Sequence, residues 1–141
     1  MSQSNTRVGD FRVLAGEALV DKEGYLVKLT HDTQVPEVKL PDAVTDFAIY
    51  LVIEGPADAA LATVRPLENG RNVRLKLFGT CNPGDLLVPA PIDGATDGMV
   101  IALPAAAGTY RGIAIAEEAG VDGQLVLARP CMLSNVTVLG E

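Results

Sequence analysis

The stretch Val73-Arg74-Leu75-Lys76-Leu77-Phe78 alternates apolar and basic side chains with a period of two, the repeat of an extended strand that turns one face to a core and the other to water. On this reading Val73, Leu75 and Leu77 point inward, and Arg74, Lys76 and Phe78 point outward. Working outward from this stretch, glycine and proline interrupt the chain fourteen and nine times, which leaves no room for a long helix between breakers. Short apolar runs fill the gaps and predict further strands over 11–14, 25–29, 49–53, 60–64, 86–88, 99–103, 112–116, 124–128 and 136–139. The turn residues agree: Asn82-Pro83-Gly84-Asp85, Asp93-Gly94, Asp97-Gly98 and Asp122-Gly123 each supply a position that tolerates positive φ. Asp122-Gly123 is expected at a hairpin tip. Ala105 to Ala107 and the alanine-rich 114–119 allow one short helical turn, cut off by Gly108, Gly112 and Gly120. The fold class is therefore mainly β, a single small β-barrel or β-sandwich domain with at most one short helix. No internal repeat is apparent at the level of sequence.

At 141 residues the chain has the size of one domain, so one hydrophobic core is expected over 7–141, preceded by a polar, flexible N-terminal arm over 1–6. Hydrophobic residues at 48% and charged residues at 21% suit a globular protein rather than a disordered one. The net charge of −7 repels phosphate backbones and anionic lipid heads, so neither nucleic acid nor a membrane is expected as a partner. Tryptophan is absent, which also removes the best stacking platform for bases or sugars. No apolar run is long enough to cross a bilayer, and 1–7 lacks the basic and apolar regions of a secretory signal, so synthesis in a cytoplasm is the expectation. Cys81 and Cys131 match no zinc spacing and no disulfide framework, and both are expected as reduced thiols.

The search for chemistry is short. A hydrolytic site needs a nucleophile, a base and a group that orients the base, and the chain has one histidine, His31, in the polar loop Leu29-Thr30-His31-Asp32-Thr33. Metal sites rich in imidazole are excluded on that count. Cys81 sits on the turn Gly79-Thr80-Cys81-Asn82-Pro83-Gly84 without an identifiable partner. Asp93 and Asp97 lack the ligand alternation and closing glutamate of a calcium loop and read as turn residues. Glu117 and Glu118 are adjacent, so on a strand they face opposite ways and cannot converge on one bond. No phosphate loop or dinucleotide fingerprint occurs, and the segment 83–94, which looks like the flank of a biotinyl or lipoyl carrier domain, has no acceptor lysine because no lysine follows Lys76. No catalytic, cofactor-binding or metal-binding residue is assigned, and the chain is expected not to be an enzyme. The alternative is a small β-barrel enzyme or ligand-binding module with a pocket near His31 or Cys81.

The remaining pattern resembles the bacteriophage capsid decoration (cement) proteins. Asn82-Pro83-Gly84-Asp85-Leu86-Leu87-Val88 looks like that family's strand entered through a Gly-Asp turn, Tyr110 to Ala116 like its glycine-led apolar strand, and Ala119 to Leu127 like its closing hairpin and strand. The resemblance implies a structural virion protein, made in the host cytoplasm, that binds the outer surface of an assembled capsid through the major capsid protein. It implies a homotrimer that stabilises the shell, and no cofactor. Within it, the arm residues Ser2, Gln3, Ser4, Asn5 and Thr6 are the candidates for strand addition to a neighbour. Arg7, Arg12 and the cluster Arg65, Arg71, Arg74 and Lys76 are the candidate docking charges, since an acidic protein needs local positive patches to approach an acidic shell.

Overall fold

Twelve β-strands and no helix make up residues 9–31, 34–131 and 135–139, the part of the chain that the computed structural model describes. The first five strands close into a barrel. They are β1 (Phe11–Ala15), β2 (Leu26–Thr30), β3 (Glu37–Lys39), β4 (Tyr50–Glu54) and β5 (Leu61–Pro66), in the order β1-β3-β2-β4-β5. The pairing of β1 with β3 is parallel and the rest are antiparallel. The next strands are β6 (Val73–Lys76), β7 (Leu86–Pro89), β8 (Val100–Ala102), β9 (Gly108–Arg111), β10 (Ala114–Ala116), β11 (Leu125–Pro130) and β12 (Asn135–Val138). Five of these form a second sheet in the order β6-β11-β10-β7-β8, while β9 and β12 pair as a separate ribbon.

The second sheet repeats the first, strand for strand. Phe11 faces Val64 in β1 and β5 as Val73 faces Ala128 in β6 and β11, and the correspondence holds through Leu14 with Leu61 and Lys76 with Leu125. Leu26 opposite Leu51 answers to Leu86 opposite Ile115, and Tyr50 opposite Pro66 to Ala114 opposite Pro130. Even the closing contact recurs: Ala15 lies parallel to Val38, and Leu77 parallel to Val100, with Gly16 N donating to Val38 O and Phe78 N to Val100 O, each at 2.9 Å. The second sheet is thus also a five-stranded barrel. The chain contains an internal duplication, contrary to the expectation of no repeat.

Period-two alternation explains the interiors. Val27, Val52, Ala62 and Val64 fill the first barrel with Val13 and Leu19. Val73, Leu75 and Leu77 are 4%, 0% and 0% exposed and fill the second with Leu87, Val100, Ile113 and Val126. The apolar interior is accordingly divided between two barrels where one core was expected. The two are joined, because Leu26 and Leu51, on the outer face of the β2–β4 pair, enter the second barrel's cluster together with Ala48 and Leu67. Backbone bonds cross the same seam, from Leu26 N to Gly98 O at 2.8 Å and from Lys76 N to Gly24 O at 2.9 Å. At Gly24 a Cβ would strike the Leu125 side chain and φ is +87°, so glycine is required where the barrels meet.

All ten expected strands are present within a few residues of their predicted bounds, and two more, β3 and β9, were not expected. Asp122 and Gly123 are the central residues of a β-turn closed by Gln124 N to Val121 O at 3.1 Å, with Gly123 at φ +82°. That turn lies within the longer connection from β10 to β11, so it does not join two strands directly.

Candidate functional site

An apolar groove of about 690 Å³ opens at one end of the first barrel. It exists because β1 and β3 pair only at Leu14 with Glu37 and Ala15 with Val38, so the start of β1 stands away from β3 and exposes the interior. Phe11 and Tyr50 form its floor, edge to face with ring centroids 5.7 Å apart. Leu29, Val35 and Leu61 line its rim at 46%, 50% and 50% exposed. Arg12 is exposed beside it on β1. Apolar side chains this exposed carry a free-energy cost in water that burial would relieve. Sequence reasoning did not single out this groove. Its signal was an apolar Leu29 and Val35 flanking the polar His31 loop, and two of the chain's few aromatic residues in one barrel.

The basic cluster is only partly assembled. Arg65 makes a two-point ion pair with Asp10, Nε to Oδ1 at 2.7 Å and a second nitrogen to Oδ2 at 3.0 Å. This hydrogen bond from Arg65 holds the Asp10 carboxyl below its ordinary range, with Arg71 adding a smaller attraction. Arg74 donates to Glu118 at 2.9 Å and to the Leu125 carbonyl at 3.0 Å. Arg65 and Arg74 line one cleft of about 380 Å³ between the barrels, whereas Arg12 belongs to the apolar groove. Lys76 pairs in register with Leu125 on the second barrel, and Arg71 sits in an exposed turn, its amide donating to Glu68 O. The residues from Ser2 to Thr6 and Arg7 lie outside the described residues.

The candidates for chemistry do not converge. His31 is exposed at the end of β2. Cys81 is 4% exposed, its thiol is pushed up by burial, and Sγ donates to the Glu118 carbonyl at 3.8 Å, which is the setting of a packed thiol rather than a nucleophile. Cys81 and Cys131 are not joined in a disulfide. Asp97 accepts from the amides of Asp93 and Gly94, and Asp93 from those of Ala95 and Thr96, so both carboxylates are committed to the turn. Glu117 accepts from Asn72 and Arg129, and Glu118 from Arg74 and the Leu127 amide. Among the described residues no group of histidine, cysteine and carboxylate side chains is placed to hold a metal ion.

Another polar cluster orders the β3–β4 connection. Lys28 Nζ donates to Asp42 at 2.7 Å and to Asp46 at 3.0 Å, while Asp46 also accepts from the amides of Asp42 and Ala43. The hydrogen bond to Asp42 raises the Lys28 ammonium above its usual value. Each charge here has its partner within the cluster, which ties the loop to β2 and reads as scaffolding.

No family model matches this chain, and no curated protein matches it. Among solved structures it is similar to the head fiber gp8.5 N base in bacteriophage phi29, at 16% sequence identity with a TM-score of 0.65. The likeness covers 94% of this chain and 98% of that one. It establishes a shared fold that includes both barrels.

Proposed function

We propose that this chain is a non-enzymatic structural protein of a phage virion that attaches to the outer surface of the capsid, contacts the major capsid protein and stabilises the assembled shell as a homotrimer. One observation carries the reading: the fold matches a phage head fiber base over nearly the full length of both chains, so the correspondence is of the whole two-barrel unit rather than of one common β-motif. The dispersal of His31, Cys81 and the carboxylates into structural contacts supports a binding role over catalysis. The open apolar groove supports packing against protein.

The arm residues Ser2 to Thr6 contribute to attachment in this reading by adding backbone hydrogen bonds to a sheet edge of the shell. Ordering them costs about 1 to 2 kcal/mol per residue, and repetition over a multivalent shell offsets that cost. Arg12 and the exposed Arg71 and Arg74 are the docking charges. Arg65 is bound to Asp10 and contributes through the cleft it lines. Co-sedimentation with capsids of the phage whose genome encodes the chain tests the reading. Bound protein at saturating, countable occupancy is expected, and deletion of Ser2 to Thr6 lowers occupancy without changing the melting temperature. Absence of wild-type protein from the capsid pellet across salt concentrations would overturn it.

A further inference from the structure

The duplication allows the two barrels to be compared end for end, and the comparison singles out the groove at the end of the first. Val73, Ile113 and Ala114 of the second barrel are 4%, 1% and 0% exposed, and Pro89 and Pro130 beside them are buried. Their counterparts in the first barrel, by strand register, are Phe11, Ile49, Tyr50, Leu29 and Pro66, which line the open groove. The second barrel's apolar cluster is completed by side chains of the first, among them Leu26 and Leu51 on the outer β2–β4 face, themselves only 1% and 3% exposed. The same face of the second barrel carries Leu86 and Ile115, and these remain half-buried. One chain therefore has an open apolar barrel end and, elsewhere, a half-buried copy of the face that its own first barrel contributes inside the molecule.

We propose that the groove at the end of the first barrel receives the Leu86–Ile115 face of a second copy of this chain. The contact is head to tail, with different surfaces on the two partners, so it propagates until a ring closes. The occupant is argued from the molecule itself: the apolar cluster of one barrel of this construction is already completed by the outer β2–β4 face of another. The inference rests on the self-association in the reading above and not on capsid binding.

Sedimentation equilibrium of three full-length proteins tests it: wild type, the socket variant Leu29→Glu with Val35→Glu, and the face variant Ile115→Glu. Wild type is expected to assemble, and each variant to lose association by about tenfold or more, because a charge enters an apolar contact. An equimolar mixture of the two variants has one intact socket and one intact face per pair, so it is expected to give dimers and nothing larger. Val121→Glu, at a site 63% exposed and outside the groove, is expected to leave assembly unchanged. Circular dichroism and melting temperature check folding, and the milder Val35→Ser replaces the socket variant if that variant unfolds. Monomeric wild type, variants that assemble as wild type does, or a mixture that stays monomeric each overturn the inference. A monomeric wild type that binds capsids sinks this inference together with the homotrimer but leaves capsid attachment standing; an assembling wild type whose variants assemble as it does sinks this inference and leaves the homotrimer; an assembling wild type that ignores capsids sinks capsid attachment alone.

Discussion

The two barrels share a register and differ in what lies at their ends. In the first, the apolar interior reaches the surface through Phe11, Leu29 and Tyr50; in the second, the matching Val73, Pro89 and Ala114 are sealed. The difference comes from neighbours rather than topology, since the pairing of the five barrel strands is repeated. The duplicated unit buries one copy of its outer apolar face, Leu26 and Leu51, within the chain and leaves the other, Leu86 and Ile115, half-buried. The β9–β12 ribbon also touches the first half of the chain, where Arg111 stacks over the exposed Phe47 ring at 4.3 Å.

The comparison is broken most forcefully in the interiors. Leu75→Ala removes a fully buried side chain from the cluster shared by both barrels, and a loss of about 2 to 5 kcal/mol is expected in urea unfolding. Val13→Ala, at the matching position of the first barrel, is expected to cost about 1 to 2 kcal/mol, because fewer methyls leave and the site borders the open end. Equal losses would mean that both interiors are equally closed.

A smaller effect is expected where the barrels differ by one methyl. The β-turn of Ala57 and Ala60 matches that of Val121 and Gln124, each with a hydrogen bond back to the first residue. The residue at positive φ is Ala59 at +64° in one and Gly123 at +82° in the other. Ala59→Gly is expected to be neutral or stabilising by up to about 1 kcal/mol, and Gly123→Ala destabilising by about 1 kcal/mol, read as opposite shifts in melting temperature. Shifts of the same sign would show that the turns are not equivalent. Gly55→Ala sharpens the same point. The added Cβ strikes the Leu19 carbonyl, and a loss of about 1 to 3 kcal/mol is expected.

The smallest effect concerns charge. Arg65 and Arg129 occupy matching positions, but Arg65 grips Asp10 at two points while Arg129 meets Glu117 once, at 3.3 Å. Because the folded Asp10 carboxyl lies below its ordinary value of 3.8, its contribution is present above that pH and is lost as the pH falls through the folded value. Asp10→Asn is expected to cost no more than about 1 kcal/mol at neutral pH and nothing in strong acid, and Glu117→Gln less. Chemical denaturation at several pH values distinguishes them.

Much of this was legible beforehand. The alternation in 73–78 placed Val73, Leu75 and Leu77 inside, because a strand has only two faces and the chain chooses between them by polarity. The strands missed were those with weak local signals. Glu37-Val38-Lys39 has a single apolar residue between two charges, yet Val38 is fully buried, and Gly108-Thr109-Tyr110-Arg111 follows three alanines that favour helix. The duplication went unseen because Phe11 with Val73 and Tyr50 with Ala114 preserve only apolar character. The shared Asp-x-x-Leu-x-x-x-Arg-Pro of 58–66 and 122–130, with Arg12 and Arg74 in matching register, was its visible trace.

By itself, then, the sequence determined the strand-rich class, the inward faces and the turns, all of which depend on neighbours a few residues apart. Tertiary structure alone decided that the strands close into two matching barrels, that Asp10 answers Arg65 across the chain and that one apolar end is covered and the other open. Those outcomes depend on contacts between residues far apart in the chain, and period-two patterning carries the face of a residue but not the identity of what will lie against it.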